Sequence, residues 1–163
     1  MAIEFIRIDD RIIHGQVVTR WALENPCDGI IAVNDTAAGN PILKAALKAA
    51  SGKKTFIFSY EEFLGKMEQA VKSDKKYFLI TKDPITMAKI LVDENLQVGI
   101  KNINVGPQSA REGTTNINNN ADITKEEVEA YEKIFNKGYT IDFRLVPDTK
   151  SVLWSKARKK FYK

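Results

Sequence analysis

Gly29-Ile30-Ile31-Ala32-Val33 is an unbroken apolar run, and Asn34-Asp35-Thr36 closes it with turn chemistry. A short apolar run of this kind is the pattern of a strand covered on both faces, as in a parallel sheet. Such strands need crossover helices, and the flanking sequence supplies them on both sides.

Toward the N-terminus, Val17, Val18, Trp21 and Ala22 recur at helical spacing within Gly15 to Leu23, and before them Ile3 to Ile8 reads as a first strand ended by Asp9 and Asp10. Toward the C-terminus, Asn40 caps a helix with Pro41 at its first position and Leu43, Ala46, Leu47 and Ala50 on one face. Lys54 to Phe58 is the next strand. Ser59-Tyr60-Glu61-Glu62 is a capping box opening a helix with Phe63, Met67, Ala70 and Val71 on its apolar face. Tyr77 to Thr81 is a fourth strand, Asp83-Pro84 caps a helix carrying Met87, Ile90 and Leu91, and Asn102 to Val105 is a fifth strand ended by Gly106-Pro107. Gln108 to Asn120 reads as a long polar loop with a short strand near Thr115 to Asn118. Thr124-Lys125-Glu126-Glu127 is a second capping box, and its helix carries Val128, Tyr131, Ile134 and Phe135. Tyr139, Ile141, Phe143 and Leu145 alternate with polar residues, which predicts a strand with one wet face at or near the sheet edge. Pro147 breaks it, and a basic helix over Lys150 to Lys160 ends the pattern. Strands and helices alternating without repeats or a linker predict one doubly wound α/β domain over residues 1–163, with helices on both faces.

The 163 residues suffice for one sizeable core, and no apolar run approaches the roughly 20 residues that span a bilayer. The start, Met1-Ala2-Ile3-Glu4-Phe5, lacks the basic and long apolar segments of a secretory signal, so a cytoplasmic location is expected. Cys27 is the single cysteine, which excludes an intramolecular disulfide and a multi-cysteine metal site. The formal charge of +4 comes from the end of the chain: Lys150, Lys156, Arg158, Lys159, Lys160 and Lys163 follow Asp148 with no acidic residue among them. Setting those six aside leaves 19 basic against 21 acidic residues, so nucleic acid is not the expected partner. A basic tail suits a solvated helix face, an acidic partner or a membrane surface.

In an open parallel sheet, ligands bind beyond the carboxyl ends of the strands. The first, second, fourth and fifth strands end in Asp9-Asp10-Arg11, Asn34-Asp35, Thr81-Lys82 and Gly106, and these ends are expected to converge around His14, the only histidine. Phosphoryl transfer to an imidazole needs a neutral ring, positive charge for the phosphoryl oxygens and N–H donors aimed at them. Arg11 offers the planar cation, the helix starting at Gly15 offers unpaired N–H groups and a positive dipole end, Gly15 leaves room for close approach, and Gln16 adds an amide. Asp9 or Asp10 is placed to fix the ring tautomer or to hold Arg11; Asp10 is taken as the catalytic partner, with Asp9, Asn34 and Asp35 as secondary candidates.

The run Arg7-Ile8-Asp9-Asp10-Arg11-Ile12-Ile13-His14-Gly15-Gln16-Val17-Val18-Thr19-Arg20-Trp21 resembles the active-site loop and first helix of the IIB component of the mannose/fructose/sorbose family of the bacterial phosphoenolpyruvate-dependent sugar phosphotransferase system. The resemblance continues through Val33-Asn34-Asp35, Asn102-Ile103-Asn104-Val105-Gly106, the helix from Thr124 and Leu145-Val146-Pro147. It implies a three-layer α/β/α fold around a mostly parallel sheet of six to seven strands, with an antiparallel strand near the C-terminus for which Tyr139 to Leu145 is the expected segment. It also implies a protein-histidine–sugar phosphotransferase: His14 takes a phosphoryl group on Nδ1 from a phosphorylated IIA partner, braced by Arg11, and passes it to a sugar at the membrane components IIC and IID, with peripheral association there and no metal or other cofactor. The chain departs from the family pattern at Gly106-Pro107-Gln108-Ser109-Ala110-Arg111, where a further Gly or Asn, then Met and His or Arg, often follow.

Two other classes fit the residues less well. Histidine phosphatases place an arginine directly before the nucleophilic histidine and use a second histidine, whereas Ile13 precedes His14 here. A nucleotide- or phosphoester-binding α/β module is the alternative reading, weakened by the lack of a Gly-x-Gly-x-x-Gly or Walker pattern.

Overall fold

The computed structural model describes residues 3–118 and 120–162, without the side chains of residues 16 and 17. In chain order the elements are β1 (Ile3–Ile8), α1 (Gly15–Glu24), β2 (Gly29–Val33), α2 (Asp35–Ala38), α3 (Pro41–Ser51), β3 (Lys54–Phe58), α4 (Tyr60–Leu64), α5 (Met67–Lys72), β4 (Tyr77–Thr81) and α6 (Pro84–Ala88), which runs into a π-helical turn at Lys89–Asp93. After these come β5 (Asn102–Val105), β6 (Thr115–Asn118), β7 (Ala121–Ile123), α7 (Lys125–Asn136), β8 (Thr140–Phe143), β9 (Val152–Leu153) and α8 (Trp154–Ala157), closed by a 3-10 turn at Arg158–Lys160.

Seven strands form one sheet in the order β3-β2-β4-β1-β5-β8-β9, with β6 and β7 paired as a separate hairpin. The run Gly29–Val33 is buried at every position, as its unbroken apolar character requires. Registers are level at the carboxyl end: Ile8 faces Thr81 and Val105, Val33 faces Thr81 and Phe58, and Val105 faces Phe143. Residues just beyond Ile8, Thr81 and Val105 therefore share one edge.

Each face carries its own core. On one, Phe5, Val18, Trp21, Ile30, Leu47, Phe78 and Ile80 pack beneath α1 and α3. On the other, Ile6, Leu79, Met87, Ile90, Tyr131, Phe143 and Trp154 pack beneath α6, α7 and α8. Caps set the helix starts: Asn40 accepts from the amides of Ile42 and Leu43, Asp83 from Thr86, and the boxes at Ser59/Glu62 and Thr124/Glu127 are both formed.

An antiparallel strand does lie near the C-terminus, but it is not the segment for which the resemblance implied it. β8 runs parallel to β5, and it is β9 that pairs antiparallel with β8, through Asp142–Leu153 and Phe143–Val152. The connection from β5 holds the β6–β7 hairpin and α7, long enough for a parallel return. Alternation instead reports cover on one face: Ile141 and Phe143 sit in the core while Asp142 and Arg144 are only half-buried. The predicted basic helix accordingly starts late, at Trp154, because Val152 and Leu153 are spent on strand pairing. Two smaller differences arise locally: Asn34 opens the short α2 rather than a plain turn, and the helix predicted after Ser59 breaks at Gly65–Lys66 into α4 and α5.

Candidate active site

Asp9 is the first residue past β1 and is fully buried. Its N–H donates to the Thr81 carbonyl at 3.0 Å, extending the β1–β4 ladder by one step. The chain then turns sharply: the Ile12 N–H donates to the Asp9 carbonyl at 2.8 Å, and the Arg11 N–H donates to Asp9 Oδ1 at 2.9 Å. Ile12 takes φ 62°, a left-handed conformation that costs a β-branched residue on the order of 1–3 kcal/mol. Burial of the Ile12 and Ile13 side chains in the core beneath α1 opposes that cost.

The turn delivers His14 to the N-cap position of α1, with extended backbone at φ −139° and ψ 128°. Its side chain makes no cap bond; it turns back toward the strand end, where Nε2 lies 2.9 Å from Asp9 Oδ2. A carboxylate can only accept, so Nε2 carries a proton, and in the neutral tautomer this contact selects the lone pair sits on Nδ1. The imidazole is 11 % exposed, enough for an incoming group to reach it.

Asp9 is held from below by Arg7, a charged residue inside β1 that is 1 % exposed. Arg7 Nη2 donates to Asp9 Oδ2 at 3.0 Å and Nε at 3.2 Å, and Nη1 pairs with Asn104 Oδ1. Nη2 also reaches the Leu145 carbonyl at 3.3 Å, the same carbonyl that accepts from Trp21 Nε1 at 2.9 Å, and the guanidinium lies 5.7 Å from the Trp21 ring centre. Burial alone raises the Asp9 carboxyl, but the hydrogen bond to His14, the Arg7 charge and the Arg11 amide outweigh it and hold the group below the usual carboxylate range. Burial lowers Arg7, and Asp9 opposes that shift.

Two glycines make this arrangement possible. A Cβ on Gly106 would fall 2.2 Å from Arg7 Nη2 and 3.1 Å from Asp9 Oδ2, so the strand end must be bare for the guanidinium to fit. A Cβ on Gly15 would lie 2.9 Å from the Ala50 carbonyl oxygen, so packing of α1 against α3 already demands glycine there, apart from any room it leaves for a phosphate.

Of the expected residues, His14, Asp9 and the Arg11 backbone come together. Asp10 does not reach His14: its Oδ2 accepts from Ser109 N at 2.7 Å and Ser109 Oγ at 2.5 Å, and its N–H donates to the Pro107 carbonyl. The reason is the turn itself, in which Asp9 points inward along β1 and its neighbour must point outward. The Arg11 side chain is exposed and shares a cleft with Lys82. Asn34 and Asp35 are occupied elsewhere, Asn34 accepting from Ala37 N and Asp35 from Tyr60 N. The Gln16 side chain lies outside the described residues. Sequence reasoning did not single out Arg7 or Asn104 as site residues, although an arginine inside an apolar parallel strand is a signal, since a buried charge requires a partner.

Among the described residues no cluster of three His, Cys, Asp or Glu side chains could hold a metal, and no helix is long and apolar enough to cross a membrane.

The family model described as PTS system sorbose subfamily IIB component matches residues 3–162. The mannose-specific EIIAB component of Escherichia coli K12 is 29% identical over 148 residues, which are 90% of this chain and 45% of that protein. The chain thus spans about half the length of that relative. The fructose-specific EIIB component of Bacillus subtilis is 29% identical over 157 residues, covering 93% of this chain and 92% of that one. In fold, the IIBSor domain of the sorbose permease from Klebsiella pneumoniae superposes with a TM-score of 0.87 over 99% of this chain and 98% of its own, at 24% identity.

Proposed function

The chain belongs to the sorbose-subfamily IIB components of the phosphotransferase system, and from that premise we propose that it is a phosphocarrier whose carrying atom is His14 Nδ1. It accepts the phosphoryl group from the phosphohistidine of a IIA protein and hands it to a sugar entering through the membrane components IIC and IID, working in the cytoplasm at the face of that transporter. This is the activity of a protein-histidine–sugar phosphotransferase, and it calls for no cofactor.

The observation that carries the reading is the 2.9 Å contact of Nε2 with buried Asp9, which supports a ring whose other nitrogen is the free nucleophile. When Nδ1 attacks phosphorus, the bond to the donor imidazole breaks and its electron pair returns to that ring. The newly phosphorylated ring, still protonated at Nε2, carries positive charge, and the Asp9 carboxylate beside it offsets that charge in a site largely shielded from water. Arg11 and the unpaired N–H groups at the start of α1, a helix of 10 residues, bind the phosphoryl oxygens. In the forward step a sugar hydroxyl attacks phosphorus, the P–N bond breaks with its pair returning to Nδ1, and the hydroxyl proton leaves to water. Arg7 and Asn104 are positioning residues for Asp9. Asp10 positions the Pro107–Ser109 segment.

Phosphoenolpyruvate, the two general phosphotransfer proteins and a cognate IIA protein should label the chain with an acid-labile, base-stable phosphoryl group. His14→Ala should abolish the label, and a variant that labels fully overturns the assignment. Arg11→Ala should remain folded and slow transfer by roughly one hundredfold, since a lost charge-stabilising donor typically costs about 3 kcal/mol in the transition state. Unchanged stopped-flow transfer rates would make Arg11 structural only.

A further inference from the structure

β3 is the edge strand of the sheet, three places from β1, and its two faces are covered unequally. On one face Ile57 packs with Leu47 of α3 and is buried. On the other, Phe56 and Phe58 are only half-buried. The cover on that side is divided where the helix breaks at Gly65–Lys66: Phe63 of α4 and Ala70 of α5 are buried, and the two phenylalanine rings stay partly open. The result is a groove of about 460 Å³, walled by Phe56, Phe58, Tyr77 and Ala70 and lipped by Lys66 and Gln69 among others, within the range that holds small molecules. Its rings pack against the core beneath α6 and α7, whereas Ile12 and Ile13 of the His14 loop belong to the core beneath α1, so the groove and the loop lie on opposite faces.

The groove offers a flat apolar wall and unspent polar groups. The Phe56 and Phe58 rings lie 5.8 Å apart and 17° from parallel, and Tyr77 meets Phe56 edge-on at 6.1 Å. Rings set side by side in this way present π faces to a further planar group. Among the described residues, the Lys66 ammonium, the Gln69 amide and the Tyr77 hydroxyl have no hydrogen-bond or ion-pair partner. Lys54 adds a second cation, its Nζ 5.4 Å from the Phe56 ring centre. The lining contains no carboxylate, and Glu68, the acidic residue of α5, is committed to Lys72. The charge around the groove is therefore of one sign, which selects an anion.

We propose that this groove is a ligand site, separate from the His14 loop, for a small aromatic carboxylate. The ring lies against Phe56, Phe58 and Tyr77, and the carboxylate accepts from Lys66 and Gln69 at the lip. Neither half suffices alone, since an open apolar wall holds a neutral ring weakly and an exposed ammonium holds a simple carboxylate weakly. Joined in one molecule, the two contacts share a single cost of lost translational and rotational freedom. The joined ligand is therefore selected over a neutral aromatic or a bare carboxylate.

The test is a nitrogen-15 chemical-shift titration of the full chain with indole-3-acetate, its neutral counterpart indole-3-ethanol, and acetate. Indole-3-acetate should perturb residues 56–58, 66–73 and 77 and saturate with a Kd of about 1 mM or tighter, the scale for a ligand of its size. It should bind about fivefold more tightly than indole-3-ethanol, the scale of one solvent-facing ion pair, and acetate should leave the groove residues unshifted. Lys66→Ala and the isosteric Gln69→Glu, both at exposed positions, should each weaken indole-3-acetate about fivefold and leave indole-3-ethanol unchanged. Lys156→Ala, a tail cation exposed to solvent, should bind as wild type. Equal affinity for indole-3-ethanol, wild-type affinity in Lys66→Ala, or the absence of saturable shifts at these residues overturns the site. Concentration-dependent shifts of the same residues before any ligand is added would assign the groove to a second copy of the chain and overturn it equally.

Discussion

Arg7 and Asp9 form a charge pair that burial would forbid to either residue alone. Removing one partner of such a pair costs about 3–5 kcal/mol, because the survivor stays buried without compensation. Asp9→Asn should therefore unfold at markedly lower urea at pH 7 while Arg7 remains charged. The acid limb distinguishes this from a simple packing defect. Asp9 titrates lower in the folded chain than in the unfolded one, so its contribution is complete above an unfolded value of about 4 and disappears as pH falls through the lower folded value. The stability gap between wild type and Asp9→Asn should then narrow steadily below about pH 4. A gap that stays constant from pH 7 to pH 2 in urea titrations would show that Asp9 is not an ionised partner of Arg7 and His14. The same pair explains the bare Gly106, whose missing side chain is the space the guanidinium fills.

At the scale of elements, local chemistry decides where helices begin, and long-range packing decides what the last segments become. The capping boxes at Ser59 and Thr124 form as their residues dictate, since a hydroxyl and a carboxylate three positions apart satisfy two backbone donors without outside help. Val152 and Leu153 are different: they are drawn into the sheet by pairing with β8, and Trp154 follows as the anchor of the edge. Trp154 is fully buried, with ring centres 5.4 Å from Tyr131, 5.9 Å from Phe161 and 6.2 Å from Phe143. Trp154→Ala should lower stability by about 3–5 kcal/mol, read as a shifted denaturation midpoint with an unchanged slope. A loss below about 1 kcal/mol would mean that β9 and α8 dock independently of the core.

Across the whole molecule, the sheet order is what turns a stretch of sequence into a site. Ile3–Ile8, Tyr77–Thr81 and Asn102–Val105 are far apart in the chain, yet β4, β1 and β5 are neighbours and end level, which brings Asp9, Thr81, Asn104 and Gly106 to one edge. The amino-acid sequence alone settles the element types, most helix starts and the parallel α/β class, because periodicity, caps and turn residues act over a few positions. It placed Asp10 ahead of Asp9 as the partner of His14, and the alternating segment before Pro147 left its strand direction open, because a period of two reports which face is covered and not which way the neighbouring strand runs. Only the tertiary structure chose Asp9 over Asp10 as the partner of His14, revealed Arg7 and Asn104 beneath it, and made β8 parallel. Each of those outcomes depends on residues up to 138 positions apart meeting at a low-dielectric strand end, where an ion pair is held or excluded by neighbours that no local pattern names.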